Sequence, residues 1–327
     1  MKAQENETFS ARSRTSSASV AIIGAGITGL YLAWRLSLAG HKVTVFEKRA
    51  FIGKQVCSGL ISERLWDFVP PKQELVEHVL EGARIHFPKK TIKVLFKQKM
   101  LVMNHAKLDN YVAELARKAG AEIILEHNTT KLPEGFDRII GTDGALSITR
   151  KLLGVEEPTM RSGLQLFIDA EATGSFADTW PTPNGFFWSV PRWNKIEYGI
   201  MEEPKKARQL LDEFCEKFSI KVEGLQASLI PYGFSVPSEG NATICGGDAA
   251  GLTKFWSGGG VIWGLTSANI LLKTFPDFDK YHSELKKFFA PIRWKTKVAT
   301  KLGYFLGNNL PWMLPKERTI DADFLFL

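Results

Sequence analysis

Val20-Ala21-Ile22-Ile23-Gly24-Ala25-Gly26-Ile27-Thr28-Gly29-Leu30, followed by Lys42-Val43-Thr44-Val45-Phe46-Glu47, decides the fold of this 327-residue chain. The spacing predicts an apolar strand, a glycine turn, a helix from about Ile27 to Ala39, a second strand and a terminal acid. Each glycine has its own task in such a unit. Gly24 permits the tight turn, Gly26 lets a pyrophosphate approach the main chain, and Gly29 lets helix and strand pack closely. The helix N-terminus binds phosphate through unpaired amides and its dipole, without a cationic side chain. Glu47, about 20 residues further on, accepts hydrogen bonds from a ribose diol and repels a 2′-phosphate. A lone G-x-G-x-x-G run also fits a glycine-rich turn in another fold. With strand, helix, second strand and acid in order, a dinucleotide cradle is the reading.

At 44% hydrophobic, a chain of this length buries a sizeable core and has room for two domains. Its three cysteines, Cys57, Cys215 and Cys245, have neither the even count nor the spacing of a disulfide framework or zinc site. The chain therefore reads as cytoplasmic and reduced, with no metal site. Cys215 lies in an amphipathic run with Ala207, Leu211 and Phe214, and Cys245 ends an apolar strand, so both read as core. Cys57, in the glycine-flanked loop from Gly53 to Gly59, is the one with a functional case. No apolar run is long and charge-free enough to span a bilayer. The first residues lack the apolar centre of a signal peptide, and 1–17 are expected to form a disordered tail.

The net charge of +7 is unevenly placed. Lys286, Lys287, Arg293, Lys295, Lys297 and Lys301 follow one another without an intervening acid, interleaved with Phe288, Phe289, Ile292, Trp294 and Val298. That run reads either as the solvated face of a terminal helix or as a surface for anionic lipid headgroups. No recognition module accompanies it, so nucleic acid is not an expected partner.

Strand and helix patterns alternate up to a helix through Leu146, Ile148 and Leu152, and then the pattern changes. From Gly163 to Pro237 come strand-like pieces with one helix between Pro204 and Phe218, which predicts an antiparallel sheet with a covering helix. Ala242 to Cys245 then restores a buried strand, running into Gly246 to Gly251, and Gly258 to Gly260 opens a helix. The expected fold is α/β: a Rossmann-like nucleotide domain interrupted by a smaller antiparallel-sheet substrate domain. The nucleotide domain is placed at 18–85, 101–160 and 238–290, the substrate domain at 86–100 and 161–237, and a basic, aromatic helical region at 291–327.

The order GAGITG, EKR at Glu47 to Arg49, TDG at Thr142 to Gly144, and GGDAAG at Gly246 to Gly251 followed by SGGG is similar to the FAD-binding pattern of p-hydroxybenzoate hydroxylase-like flavoproteins. Within that group, the loop Ile52 to Ser62 and the segment Phe186-Phe187-Trp188-Ser189-Val190-Pro191 resemble the geranylgeranyl reductase family. The resemblance covers roughly Ala18 to Phe289. It implies FAD as cofactor, held by Gly24, Gly26, Gly29, Glu47 and Lys48. Asp143 and Gly144 would lie near it, Gly247 and Asp248 at its ribityl or pyrophosphate region, and Gly258, Gly259 and Gly260 against the flavin pyrimidine edge. A glycine-rich helix start there offers amides and a positive dipole end to the charge on reduced flavin.

Two departures from the family stand out. Members often carry Arg four residues before the Asp of the helix after the Cys loop, where this chain has His105 before Asp109, which weakens a fixed positive clamp on the phosphates. Reductases tend to have Tyr-x-Trp-x-Phe-Pro with a downstream Gly-x-Gly, and flavin halogenases Trp-x-Trp-x-Ile-Pro; here Phe186, Trp188, Val190 and Pro191 are followed by Gly199-Ile200-Met201. The resemblance implies saturation of isoprenoid double bonds in a prenyl lipid or prenyl alcohol, by hydride from reduced flavin plus a proton. Phe186, Trp188 and Pro191 are the expected substrate pocket, with aromatic area from Trp180, Phe187 and Trp193, and Cys57 is expected near the flavin, shaping the pocket or relaying a proton. A second dinucleotide fingerprint is absent from the sequence, so NAD(P)H without a dedicated site and a ferredoxin-like carrier are equal electron donors. An FAD-dependent aromatic monooxygenase or halogenase is one alternative, and a non-catalytic prenyl-binding protein on the same scaffold is another. For the prenyl reading, the basic run becomes a peripheral contact at the inner face of a membrane.

Overall fold

The apolar runs around the glycine turn fold as their period dictates in the computed structural model, which describes residues 17–53, 56–171, 173–234, 236 and 238–325. The expected disordered tail lies, apart from Ser17, outside the described residues. β1 (Ser19–Ile23), α1 (Ile27–Leu38) and β2 (Lys42–Phe46) form a β-α-β unit whose strands pair in parallel, Ser19 opposite Lys42. Both strands are nearly all apolar because both their faces are covered. The chain then leaves this sheet through β3 (Leu60–Ser62), β4 (Val76–Phe87) and β5 (Lys90–Met103). It returns through α2 (His105–Lys118), β6 (Glu122–Ile124), β7 (Arg138–Gly141) and α3 (Ile148–Leu152). A second excursion follows: β8 (Thr159–Asp169), β9 (Phe176–Pro181), β10 (Phe186–Arg192), β11 (Lys195–Glu202), α4 (Pro204–Lys217) and β12 (Gln226–Tyr232). β13 (Ser238–Glu239), β14 (Ala242–Ile244) and α5 (Val261–Thr274) complete the first sheet's layers, before α6 (Phe278–Asn309) and β15 (Glu317–Ile320).

The first sheet has the order β13-β14-β7-β1-β2-β6 and is parallel apart from β13. Its chain runs outward from β1 through β2 and β6, then crosses to β7 and β14 on the other side. That reversal makes a crevice beside β1, and ligands of such sheets bind there, at the carboxyl ends of the strands. α1 packs against both α2 and α5 over the core that contains Leu30, Leu108 and Leu265.

The second sheet, expected to be the smaller, has nine strands against six: β12-β8-β11-β10-β9-β4-β5-β15, with β3 beside β5. α4 covers one of its faces, where Leu164, Leu166, Phe187 and Ile200 meet Ala207, Leu211, Phe214 and Cys215. Cys215 and Cys245 are both buried in core, as their apolar settings predict. The expected boundaries need correction at the β4–β5 hairpin. Residues 76–85 and 101–103 belong to the second sheet rather than to the nucleotide domain, because β4 and β5 pair along nearly their whole length. Much of this hairpin is half-buried and carries charge on both sides, so its alternation is weak in the sequence. The C-terminal region is likewise helical only to Asn309; β15 then joins β5 in parallel as a mostly exposed edge strand.

Candidate active site

The carboxyl ends of all five parallel strands of the first sheet open into one cavity of about 830 Å³. Its wall includes Gly24 after β1, Glu47 after β2, His127 to Thr130 after β6, Thr142 to Gly144 after β7, and Gly246 to Asp248 after β14. The cradle glycines fit a dinucleotide by three different geometries. Gly24 has φ +104°, and a Cβ there would stand 2.7 Å from Asp143 Cα. A Cβ on Gly29 would stand 2.2 Å from Gly24 O, so only glycine lets α1 lie this close to the strand end. A Cβ on Gly26 would meet nothing within 4 Å: its main chain faces open space, as a pyrophosphate's approach demands. The buried Glu47 carboxylate accepts from Ala25 N at 2.9 Å and from Arg49 Nε at 2.9 Å, tying the end of β2 to the glycine turn. Burial pushes its pKa up, but these hydrogen bonds and the Arg49 charge outweigh burial and hold it below the usual carboxylate range.

The remaining cofactor candidates sort by what their side chains already do. Lys48, Asp143, Gly144, Gly247 and Asp248 all line the cavity. The Asp143 carboxylate, however, accepts from Ser147 Oγ at 2.5 Å and from Thr149 N at 2.9 Å, so it braces the start of α3. Gly258, Gly259 and Gly260 also line the cavity, and Gly260 is the N-cap of α5. The open space at Gly26 and the amides at the starts of α1 and α5 fit FAD.

Cys57, His105 and Asp109 come together on the same wall. His105 opens α2, and its Nε2 lies 3.4 Å from Asp109 Oδ1, one turn on; both residues are buried. The Cys57 sulfur is beside the imidazole, and it accepts from Gly59 N at 3.4 Å. Burial alone would push the imidazole toward its neutral form. Asp109 and Cys57 outweigh burial and raise its pKa to about 10, so His105 carries a positive charge at neutral pH. At the position where the family pattern has Arg, this chain thus holds a cation paired with Asp109. Nδ1 of His105 is buried without a hydrogen-bond partner among the described residues, as suits a donor left for a bound group.

Beyond the cradle the cavity runs onto the uncovered face of the second sheet, lined by Leu60, Ile85, Val94, Phe96, Val190 and Ile320 among others. Strand alternation sorts β10: Phe186, Trp188 and Val190 face the cavity, and Phe187 faces α4. Pro191, expected in the pocket, is buried but absent from its wall, because it falls on the opposite side of β10 from Val190. Trp180 and Phe187 are corrected in the same way: both pack under α4 on Phe214, Trp180 edge-on and Phe187 stacked, with ring centroids at 5.1 and 4.3 Å. Trp193 stands in the β10–β11 turn, 76% exposed.

Trp188 is fixed on two sides. Its indole N–H donates to Glu197 at 2.8 Å, and its ring lies over Gly199, where a Cβ would come within 2.3 Å of it. Glu197, fully buried, also accepts from Arg192 Nε at 2.8 Å. Arg192 in turn donates to Glu77 at 2.6 Å and to the Ser58 carbonyl, joining the Cys57 loop to the second sheet. No local motif announces this network. A second residue outside every motif is Lys254, which is buried, lines the cavity, and pairs with Asp323 of the C-terminal segment at 2.9 Å. Its Nζ would be 3.3 Å from a Cβ on Gly259, so a cation lies directly beneath the glycine triplet. A lysine just ahead of a Gly-rich helix start was the available signal.

Comparison with known proteins agrees with this geometry. Residues 19–101 match the sequence model of the FAD dependent oxidoreductase family. A comparison with curated protein sequences found no match. Among solved structures, the fold is similar to a geranylgeranyl bacteriochlorophyll reductase-like protein from Thermoplasma acidophilum: TM-score 0.77, 19% identity, covering 88% of this chain and 87% of that one. It is similar also to the flavin-dependent halogenase BrvH from Brevundimonas sp. BAL3, with TM-score 0.71, 13% identity, and coverage of 89% and 79%. A flavoprotein/dehydrogenase from Cytophaga hutchinsonii aligns with TM-score 0.66 and 14% identity, over 85% and 84%. The expected fold and FAD as cofactor are thus found, on a scaffold shared by several chemistries.

Proposed function

We propose, from the premise that this chain is an FAD-dependent oxidoreductase, that it saturates isolated carbon–carbon double bonds of a prenyl chain. The observation that carries the reading is the continuity of the nucleotide cradle with an apolar sheet wall inside one cavity. A prenyl double bond has no carbonyl to polarise, so the protein's contribution is position, exclusion of water and a proton. The wall of Leu60, Ile85, Val94, Phe96 and Val190 holds the chain extended, and Trp188, anchored by Glu197, fixes its side-to-side position. The Gly24–Gly29 turn and the start of α5 would hold FAD, whose reduced form would supply the hydride. The proton held between Cys57 and His105 goes to one alkene carbon, and Asp109 keeps the imidazole oriented and cationic until then. NAD(P)H or a ferredoxin-like carrier provides the electrons.

The test is anaerobic. Holoprotein reduced with dithionite is mixed with a geranylgeranyl lipid, and flavin absorbance is followed. Reoxidation that depends on the lipid supports the reductase. Reoxidation by oxygen alone points instead to a monooxygenase or halogenase, and loss of FAD binding altogether to a prenyl carrier. Cys57→Ala is expected to keep dithionite reduction and to slow lipid-dependent reoxidation by about a hundredfold or more, the usual worth of a positioned acid. An unchanged rate removes Cys57 from the chemistry.

A further inference from the structure

We infer that the outer side of α6 beyond Pro291, with the short turn after it, is a docking face for an anionic lipid bilayer. Seven of the twelve large apolar side chains exposed on the described surface lie between Phe288 and Met313. Four of them, Trp294, Val298, Leu302 and Phe305, recur at helical spacing and form one stripe, exposed at 68%, 48%, 53% and 56%. Trp312 and Met313 extend it past the end of the helix, at 72% and 61%. A contiguous patch of this kind on a folded surface marks a contact, since single exposed apolar residues are normal and rows of them are not.

Charge identifies the partner. From Lys286 to Lys316 the sequence has seven basic residues and no acid. Lys295, Lys297 and Lys301 are exposed and lie beside the apolar stripe. Lysines flanking an apolar stripe with tryptophans in it match the layering of a bilayer surface, phosphate outside and acyl chains beneath. An acidic protein would satisfy the lysines and leave Trp294, Leu302 and Phe305 wet. No helix among the described residues is long and apolar enough to cross a membrane, so the contact is in the plane of the surface.

The other side of α6 is already engaged. Phe289 and Thr296 are buried, the Phe87 ring packs on Gly307, and the Tyr304 hydroxyl donates to Gly185 O at 3.2 Å. These contacts keep the stripe facing outward. Tyr304 also lines the cavity, so docking would bring a wall of the substrate site to the membrane that carries prenyl lipids. The docking face stands on exposure and charge, independently of the proposed reaction, and vesicle binding is read without turnover.

FAD-loaded full-length protein is sedimented with phosphatidylcholine vesicles with or without phosphatidylglycerol. The wild type is expected to pellet with the anionic vesicles and to stay in solution with the neutral ones. Combined Lys295→Glu, Lys297→Glu and Lys301→Glu should lower partition by about a hundredfold or more, given roughly fivefold per lysine near the surface. Combined Leu302→Glu and Phe305→Glu should release the protein while the flavin spectrum and thermal midpoint stay those of the wild type. Failure of the wild type to pellet with anionic vesicles overturns the inference, as does wild-type binding by either variant. So does ultracentrifugation showing a dimer that Leu302→Glu splits, which would make the face a contact between copies.

Discussion

A methyl group separates glycine from alanine, and the cradle makes that methyl matter differently at each position. At Gly29 it would stand 2.2 Å from Gly24 O, so Gly29→Ala pushes α1 off the strand end and is expected to destabilise the apoprotein by about 1–3 kcal/mol. At Gly26 it meets nothing, so Gly26→Ala should leave the apoprotein's denaturant midpoint unchanged and weaken FAD binding, read by titration of the flavin fluorescence. Equal loss of stability in both apoproteins would refute this division of labour. His105 adds a pH signature. Its folded pKa, about 10, lies above its ordinary 6.5, so its contribution to stability is fully present below pH 6.5 and is lost as pH rises through 10. Urea unfolding of the apoprotein against His105→Gln should therefore show a wild-type advantage that shrinks across that window; an advantage growing with pH would contradict it. The glycines and Glu47 are legible in the sequence because their roles are set by neighbours a few residues away. The Cys57–His105 pair is not, since it forms only when the loop after β2 folds back onto the start of α2.

Elements show the same division. β1, α1 and β2 are legible because a buried parallel strand is an apolar run and little else can be made of one. β10 is legible as a strand, and its alternation alone places Phe186, Trp188 and Val190 together; the family resemblance adds Pro191 to them, and period two excludes it. The β4–β5 hairpin escapes because mixed charge on half-buried faces hides its period. What joins these elements is the buried Arg192, with Glu197, Glu77 and the Ser58 carbonyl around it. Burial pushes the Glu197 carboxyl up, against the pull of Arg192 and the Trp188 N–H. Arg192→Met leaves that carboxylate without its cation and is expected to cost about 3–5 kcal/mol in urea unfolding. It also frees the Ser58 carbonyl, so alkylation of Cys57 in the folded protein should speed up. Unchanged alkylation would mean that the Cys57 loop is held by something other than Arg192.

At the scale of the whole molecule the C-terminal segment is the part that closes the site. β15 extends the second sheet, and the residues after it reach back to the nucleotide domain. Asp321 pairs with Arg64; Asp323 accepts from Ser62 at 2.6 Å and Lys254 at 2.9 Å, and its carbonyl takes the Trp263 N–H. Both acids are fully buried, so each cation they face depends on them. Asp323→Leu strands Lys254 and should cost about 3–5 kcal/mol, whereas adding Lys254→Met should recover the part due to the stranded ammonium, the Ser62 hydroxyl and Arg64 Nε still lacking the Asp323 carboxylate. Stability alone would make Lys254 a staple. With FAD bound as we propose, its place beneath Gly258 to Gly260 would add a second effect, attraction for the negative charge of reduced flavin. The double variant separates the two: it should be more stable than Asp323→Leu alone, yet its bound flavin should have a potential more negative than the wild type's, because of the removed pair it is the ammonium that lies against the glycine triplet. Spectroelectrochemical titration of the loaded protein measures this directly. A double variant that regains stability over Asp323→Leu and keeps the wild-type potential would confine Lys254 to holding the C-terminal segment in place.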